Sequence, residues 1–171
     1  MTRPSPRPAP TPSGEPAANE RWPAACSQYR FEEYGMPSIT LADARKAIDA
    51  ALKKAEEFGA HMAIVVVDDH ADLVASVKMD GCPFPFAPDV TRGKAMATVL
   101  WRGQPSSALV ERANAPVMAM VRELYNHKVV YAAGAVPIKR NGVVIGAIAG
   151  GGGTSEQDEQ VALAGAAAIG G

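Results

Sequence analysis

The chain is 171 residues long, 47% hydrophobic and 20% charged, with a formal net charge of -1 at pH 7. That length suits about one domain whose core needs no covalent staple. The near balance of basic and acidic residues excludes an electrostatic pull toward nucleic acid, so a small-molecule or protein partner is expected.

The chain begins with MTRPSPRPAPTPSGEPAANERWPAA, rich in proline and almost devoid of aliphatic side chains. Such a segment buries too little apolar surface to offset the entropy of ordering it. Residues 1–37 therefore read as a disordered or extended arm, and 38–171 as the folded domain. Arg3 and Arg7 are followed by no apolar run of signal-peptide length. The most apolar segment, AGAVPIKRNGVVIGAIAGGGG, is cut by charge and glycine before it reaches the roughly 18 residues of a membrane span. A cytoplasmic protein with no membrane partner is expected. Cys26 and Cys82 form no pair motif, so neither a zinc site nor a disulfide framework is indicated.

In TLADARKAIDAALKKAEEF, Leu41, Ala44, Ala47, Ile48, Ala51, Leu52, Ala55 and Phe58 recur at spacings of three and four. This predicts an amphipathic helix with Thr40 as N-cap and Gly59 as stop. HMAIVVVDD and LVASVKM, joined by the polar DDHAD, predict an antiparallel hairpin over residues 61–79. MDGCPFPFAPD reads as loop, after which Asp89 is expected to cap a helix reaching about Trp101. SSALVERANAPVMAMVRELY is expected to be helical with a break near Asn114 to Pro116, because proline rejects the α conformation for its predecessor. VVYAAGAVPIKRNGVVIGAIAG predicts two strands joined at Asn141-Gly142 in a type I′ turn, and Ser155 to Ile169 a last helix. Hairpins without recurring strand-helix-strand units give an α+β fold: a mainly antiparallel sheet with helices on its faces.

Four consecutive glycines, Gly150 to Gly153, precede the last helix and suggest a phosphate loop. No lysine follows them at the P-loop position, and every dinucleotide frame through them meets a non-glycine at its sixth place. Thr154 with Gln157, or Ser155 with Asp158, resembles a capping box, which puts Glu156, Asp158 and Glu159 in the first helical turn. Carboxylates there complement the helix dipole and repel a phosphate. What survives is a shelf free of side chains beside carboxylates, suited to a flat ligand.

From about Ile39 onward the chain resembles the GlcG/HbpS-like family, which includes the C-terminal haem-binding domain of some cobalamin adenosyltransferases. The blocks that carry the resemblance are LADARKAIDAALKKAEEFG, VVVDDHADLVASVKMDG, TRGKAMATVLWRGQPSSAL, AAGAVPIKRNGVVIGAIAGGGG and TSEQDEQVALAGAAAI, in that order. The resemblance implies a profilin-like three-layer α/β/α sandwich that assembles into dimers or larger homo-oligomers. It also implies that the turn holding Gly151, Gly152, Gly153 and Thr154 lines a ligand pocket near a subunit interface. Family members serve haem binding, glycolate and propanediol utilisation and nitroaromatic breakdown, where 4-hydroxylaminobenzoate lyase is similar. The sequence departs from the common pattern at DDHAD, at CPFPFAP and in the arm with RFEEYGMP.

Two functions from different classes follow. One is a lyase without cofactor that acts on a small aromatic carboxylate, releasing ammonia from 4-hydroxylaminobenzoate to give 3,4-dihydroxybenzoate. Arg92 is the candidate carboxylate clamp, because its fork is bidentate, and Lys94 supplies a point charge or an amine. Glu156 or Asp158 would move protons if partial burial raised a carboxyl's pKa. Phe84, Phe86 and Tyr131 are the candidate aromatic walls. The other is a haem-binding protein with His70, among the carboxylates of DDHAD, as iron ligand. A non-catalytic oligomeric accessory protein is the third possibility. His61 and His127 read as ordinary strand-boundary residues.

Overall fold

The computed structural model of the chain describes residues 38–169; the arm assigned to 1–37 lies outside them. Helix α1 (Leu41–Glu57) is capped by Thr40, whose side chain accepts from the Asp43 backbone N–H at 3.1 Å, and Gly59 follows its end with φ +61. Strands β1 (Ala63–Asp68) and β2 (Leu73–Lys78) form the expected hairpin. Helix α2 (Ala87–Leu100) starts two residues ahead of Asp89. Phe86 is its N-cap residue and makes no side-chain capping bond, so Asp89 lies in the first turn rather than at the cap. Pro88 accounts for the earlier start, since a proline costs nothing where the helix leaves N–H groups unpaired.

SSALVER winds as a 3₁₀ helix (Ser106–Arg112), and α3 (Pro116–Leu124) starts at the proline that breaks the run. Strand β3 begins only at Ala135 and runs to Arg140. The upstream residues Val129 and Tyr131 are drawn into a separate apolar cluster with Met96, Leu109 and Met118 instead of pairing in the sheet. Asn141 and Gly142, with φ of 51° and 79°, make the turn into β4 (Val143–Gly151), as a type I′ hairpin requires. Helix α4 (Ser155–Ala167) completes the fold.

The sheet order is β2-β1-β4-β3, and all three pairings are antiparallel. Alternation along the strands sends Ile64, Val66, Val136, Ile138 and Ile148 to the layer of α1 and α4. Val65, Val67, Ala147 and Ala149 face Ala95 and Val99 of α2 on the opposite side. The alternation slips once in β4: Ile138 pairs with Gly146 and Lys139 with Val144, leaving Ile145 as a bulge that keeps its side chain in the first core. The result is an α/β/α sandwich. No described helix is long and apolar enough to cross a membrane.

Arg140, at the end of β3, donates to Asp43 Oδ2 at 3.0 Å, and Thr40 donates to the same oxygen at 2.7 Å. The Thr40 hydroxyl, and then Arg140, hold the Asp43 carboxyl below its ordinary value of 3.8. Its stabilising contribution is therefore fully present above that value and is lost as pH falls through the lower folded one. Asp43→Asn is expected to cost about 0.5–1 kcal/mol near neutral pH, as half-exposed ion pairs do. Thermal denaturation should show the variant converging on the wild type in strong acid; an offset that persists there would contradict this assignment.

Candidate functional site

Helix α2 lies on one face of the sheet and α4 on the other, and they meet around the end of β4 through Lys94 and Asp158. Lys94 Nζ donates to Asp158 Oδ2 at 2.6 Å and to the Gly150 carbonyl at 3.2 Å. The other carboxylate oxygen of Asp158 accepts from the Gly153 N–H at 3.0 Å. The two side chains are only 7% and 6% exposed. One ion pair thus ties both helical layers to the glycine turn. An ammonium has three N–H donors, so Lys94 keeps one beyond these two bonds.

Two glycines permit this approach. A Cβ on Gly134, which has φ +121, would lie 2.7 Å from Asp158 Cβ and 2.9 Å from Lys94 Nζ. A Cβ on Gly150 would lie 2.7 Å from the Asp158 carbonyl oxygen.

The glycine turn differs from the open shelf expected of it. The room above Gly151 is taken by Thr91 of α2, whose buried hydroxyl has no partner among the described residues. Gly152 packs against the His61 carbonyl and Cys82 Sγ, and Gly153 against Met62 and Gln157. The missing side chains make way for protein atoms, and only the Gly152 to Thr154 rim reaches the surface. The capping box is Thr154 with Gln157, and Asp158 turns inward to Lys94 instead of pairing with Ser155. Glu156 is exposed, and hydrogen bonds from its own backbone N–H and the Thr154 hydroxyl lower its carboxyl pKa. A general acid raised by burial, the condition set for it above, is therefore not available at Glu156.

The remaining candidates separate. Arg92 and Lys94 are two residues apart on α2 and so do not face each other; Arg92 is half-buried, with Nε unpartnered among the described residues. Tyr131 is a core residue rather than a pocket wall. It sits edge-on to Trp101 at 5.3 Å and donates to the Met118 carbonyl at 3.2 Å. Burial pushes its phenol above the ordinary value, against the opposing charge of Arg122. Phe84 and Phe86 stack on each other at 5.4 Å and remain 44% and 57% exposed, an unspent apolar surface on the loop that brings Cys82 to Gly152.

His70 lies at the other end of the sheet. β1 runs from the glycine end, where Ala63 pairs with Gly151, to Asp68 beside the His70 turn. At about 3.3 Å per residue that separation is roughly 17 Å. The His70 ring faces Asp69 Oδ1 at 3.2 Å, and Asp68 Oδ1 accepts from the backbone N–H groups of His70 and Asp72, each at 2.9 Å. Those bonds build an Asx turn, which explains the Asp68 carboxylate without a ligand.

The histidine that does stand beside the glycine turn is His61. Its Nδ1 is hydrogen-bonded to the Asp80 carbonyl, its ring is packed by Gly81, and its own carbonyl touches Gly152. Sequence pattern missed it because a histidine at a strand start has no periodic signal. Gly81, three residues past the paired strand, packs against its ring and was the available clue.

Comparison with known proteins supports a family assignment. A family model described as "Haem degrading protein HbpS-like" matches residues 39–167. The chain is 31% identical over 126 residues, 73% of its length and 87% of the relative's, to an uncharacterized 15.0 kDa protein from the dhaT-dhaS intergenic region of Citrobacter freundii. It is similar to the crystal structure of Klebsiella pneumoniae ORFY, with a TM-score of 0.71 at 25% identity over 78% of this chain and 92% of that one. It is similar also to HbpS, with a TM-score of 0.70 at 29% identity over 80% and 93% of the two chains. With the four-stranded antiparallel sheet, the helix order and the glycine turn all lying inside the matched span, this chain belongs to the HbpS-like family.

Proposed function

We propose that the protein binds haem on the surface formed by His61, the Cys82 to Phe86 loop and the Gly152 to Thr154 rim. The observation that carries this reading is the stacked pair Phe84 and Phe86, half-exposed on the loop whose Gly81 packs against the ring of the exposed His61. A haem site needs apolar faces for the macrocycle and a side-chain ligand for the iron, and the β1–β2 hairpin brings both to one of its ends. The residues present thus fit the group, and the family description and the likeness to HbpS support it. When bound, haem would supply an iron with an open or exchangeable coordination position. The chain's own residues bind and orient the ring and shield one of its faces from water.

Titration of the purified full chain with hemin should give a shifted, saturable Soret band. Phe84→Ser combined with Phe86→Ser should weaken binding about tenfold or more, the worth of one or two buried aromatic rings. A Soret band identical to that of free hemin would overturn the reading.

A second reading rests on the Lys94 and Asp158 pair, whose buried ammonium has one N–H without a partner among the described residues. Such a group can protonate a leaving nitrogen while a carboxylate accepts a proton from the attacking water. The reaction in view is 4-hydroxylaminobenzoate plus water giving 3,4-dihydroxybenzoate plus ammonia, with no cofactor. Ammonia released by haem-free protein and lost in Asp158→Asn would establish it; no ammonia would remove it. Self-association is also inferred, through Val117, Met120 and Leu124, which leave an apolar stripe exposed along α3. A single-chain mass in sedimentation would contradict that.

A further inference from the structure

We propose that His61, through Nε2, is the residue that ligates the haem iron, and that Asp80 and Gly81 are its positioning residues; this rests on the haem reading above. The Nδ1 atom of His61 is hydrogen-bonded to the Asp80 carbonyl oxygen. A carbonyl only accepts, so Nδ1 carries the proton, and in the neutral ring Nε2 is left with a bare lone pair. Metal-ligating histidines commonly have this second-shell arrangement, with one ring N–H donated to a backbone carbonyl and the other nitrogen turned to the metal.

The ring is also held in place. Gly81 has φ +79, and a Cβ there would sit 3.3 Å from His61 Nδ1, 3.6 Å from Cγ and 3.7 Å from Cε1. A side chain at that position would strain the backbone and press on the imidazole. The carbonyl that fixes the tautomer belongs to the residue just before Gly81, and the hairpin end that carries both is closed by the Met79 N–H donating to the Met62 carbonyl at 2.9 Å. Ring, carbonyl and glycine therefore move as one rigid end of the β1 and β2 pair. The ring itself is exposed, on the same loop cluster as Phe84 and Phe86. His70 differs in place and not in tautomer: its Nδ1 faces the Asp69 carboxylate, in an acidic turn at the far end of the sheet from Phe84 and Phe86.

The test is the absorbance and electron paramagnetic resonance spectrum of the hemin complex of the full chain. Wild type and His70→Ala should give the same imidazole-ligated spectrum. His61→Ala should lose it and bind hemin at least tenfold more weakly while keeping the wild-type far-ultraviolet circular dichroism, and free imidazole should return the ligated spectrum to the hemin that stays with the protein on gel filtration. Gly81→Ala should retain the ligated spectrum in form but with reduced occupancy. An unchanged spectrum in His61→Ala, or its loss in His70→Ala instead, would overturn this assignment while leaving haem binding intact. Absence of any hemin complex in wild type would overturn both.

Discussion

Lys94→Met is expected to lower folding stability by about 3–5 kcal/mol, the usual result of removing one partner from a buried ion pair. Little of that loss comes from the attraction itself, because two charges brought out of water regain only part of their hydration energy from each other. The loss comes from what remains: Asp158, 6% exposed, would be left without a cation and with a single N–H donor, that of Gly153. The Gly150 carbonyl would lose its ammonium donor at the same time. Asp158→Asn separates these effects, since an amide oxygen can still accept from Gly153 while the net charge of the carboxylate is gone. The double variant Lys94→Met with Asp158→Asn should therefore be more stable than Lys94→Met alone, by 1 kcal/mol or more on the scale of coupled neighbours. Urea denaturation reads both differences. If Lys94→Met alone costs under about 1 kcal/mol, the pair is solvated in solution and ties no layers together.

Legibility from sequence followed the range of the interaction. The cap at Thr40, the stop at Gly59, the Asn141-Gly142 turn and the Thr154 and Gln157 capping box are local devices, and each formed where expected. From about Ile39 onward the chain also carried the family's blocks in order, so the antiparallel sheet with helices on its faces was foreseeable. Asp89 failed as a cap because the helix is capped three residues earlier, at Phe86, where Pro88 fits the first turn. Lys94 and Asp158 were both candidates in the sequence, one a cation early in a helix and the other one of three acids early in another. Their pairing across 64 positions was not legible there, because periodicity reports which face is buried and not what lies opposite it. The aromatic residues divided for a similar reason. Tyr131 lies two residues after Val129, which enters the same core cluster, whereas Phe84 and Phe86 alternate with prolines in a loop that holds them at the surface.

Gly134→Ala is expected to cost about 3 kcal/mol or more, and to cost more than Gly151→Ala. At Gly134 two penalties combine. A φ of +121 is a conformation that alanine adopts only under strain, worth about 1–3 kcal/mol. The added methyl would also press on Asp158 Cβ at 2.7 Å and the Gly150 carbonyl oxygen at 3.0 Å, and relieving that contact would push apart the junction that Lys94 closes. At Gly151 the backbone is not in the left-handed region, and the penalty is overpacking against Thr91 alone, about 1–3 kcal/mol. Thr91 is a side chain and can be cut back, so Thr91→Ala should rescue part of the Gly151→Ala loss. No truncation relieves Gly134, because a methyl added there meets backbone and Cβ atoms. Denaturation of the three single variants and the Gly151→Ala, Thr91→Ala double variant would test this order. Equal losses at the two glycines, or no rescue by Thr91→Ala, would mean that the turn relaxes as a whole. In that case its glycines would not be spacing the protein's own atoms.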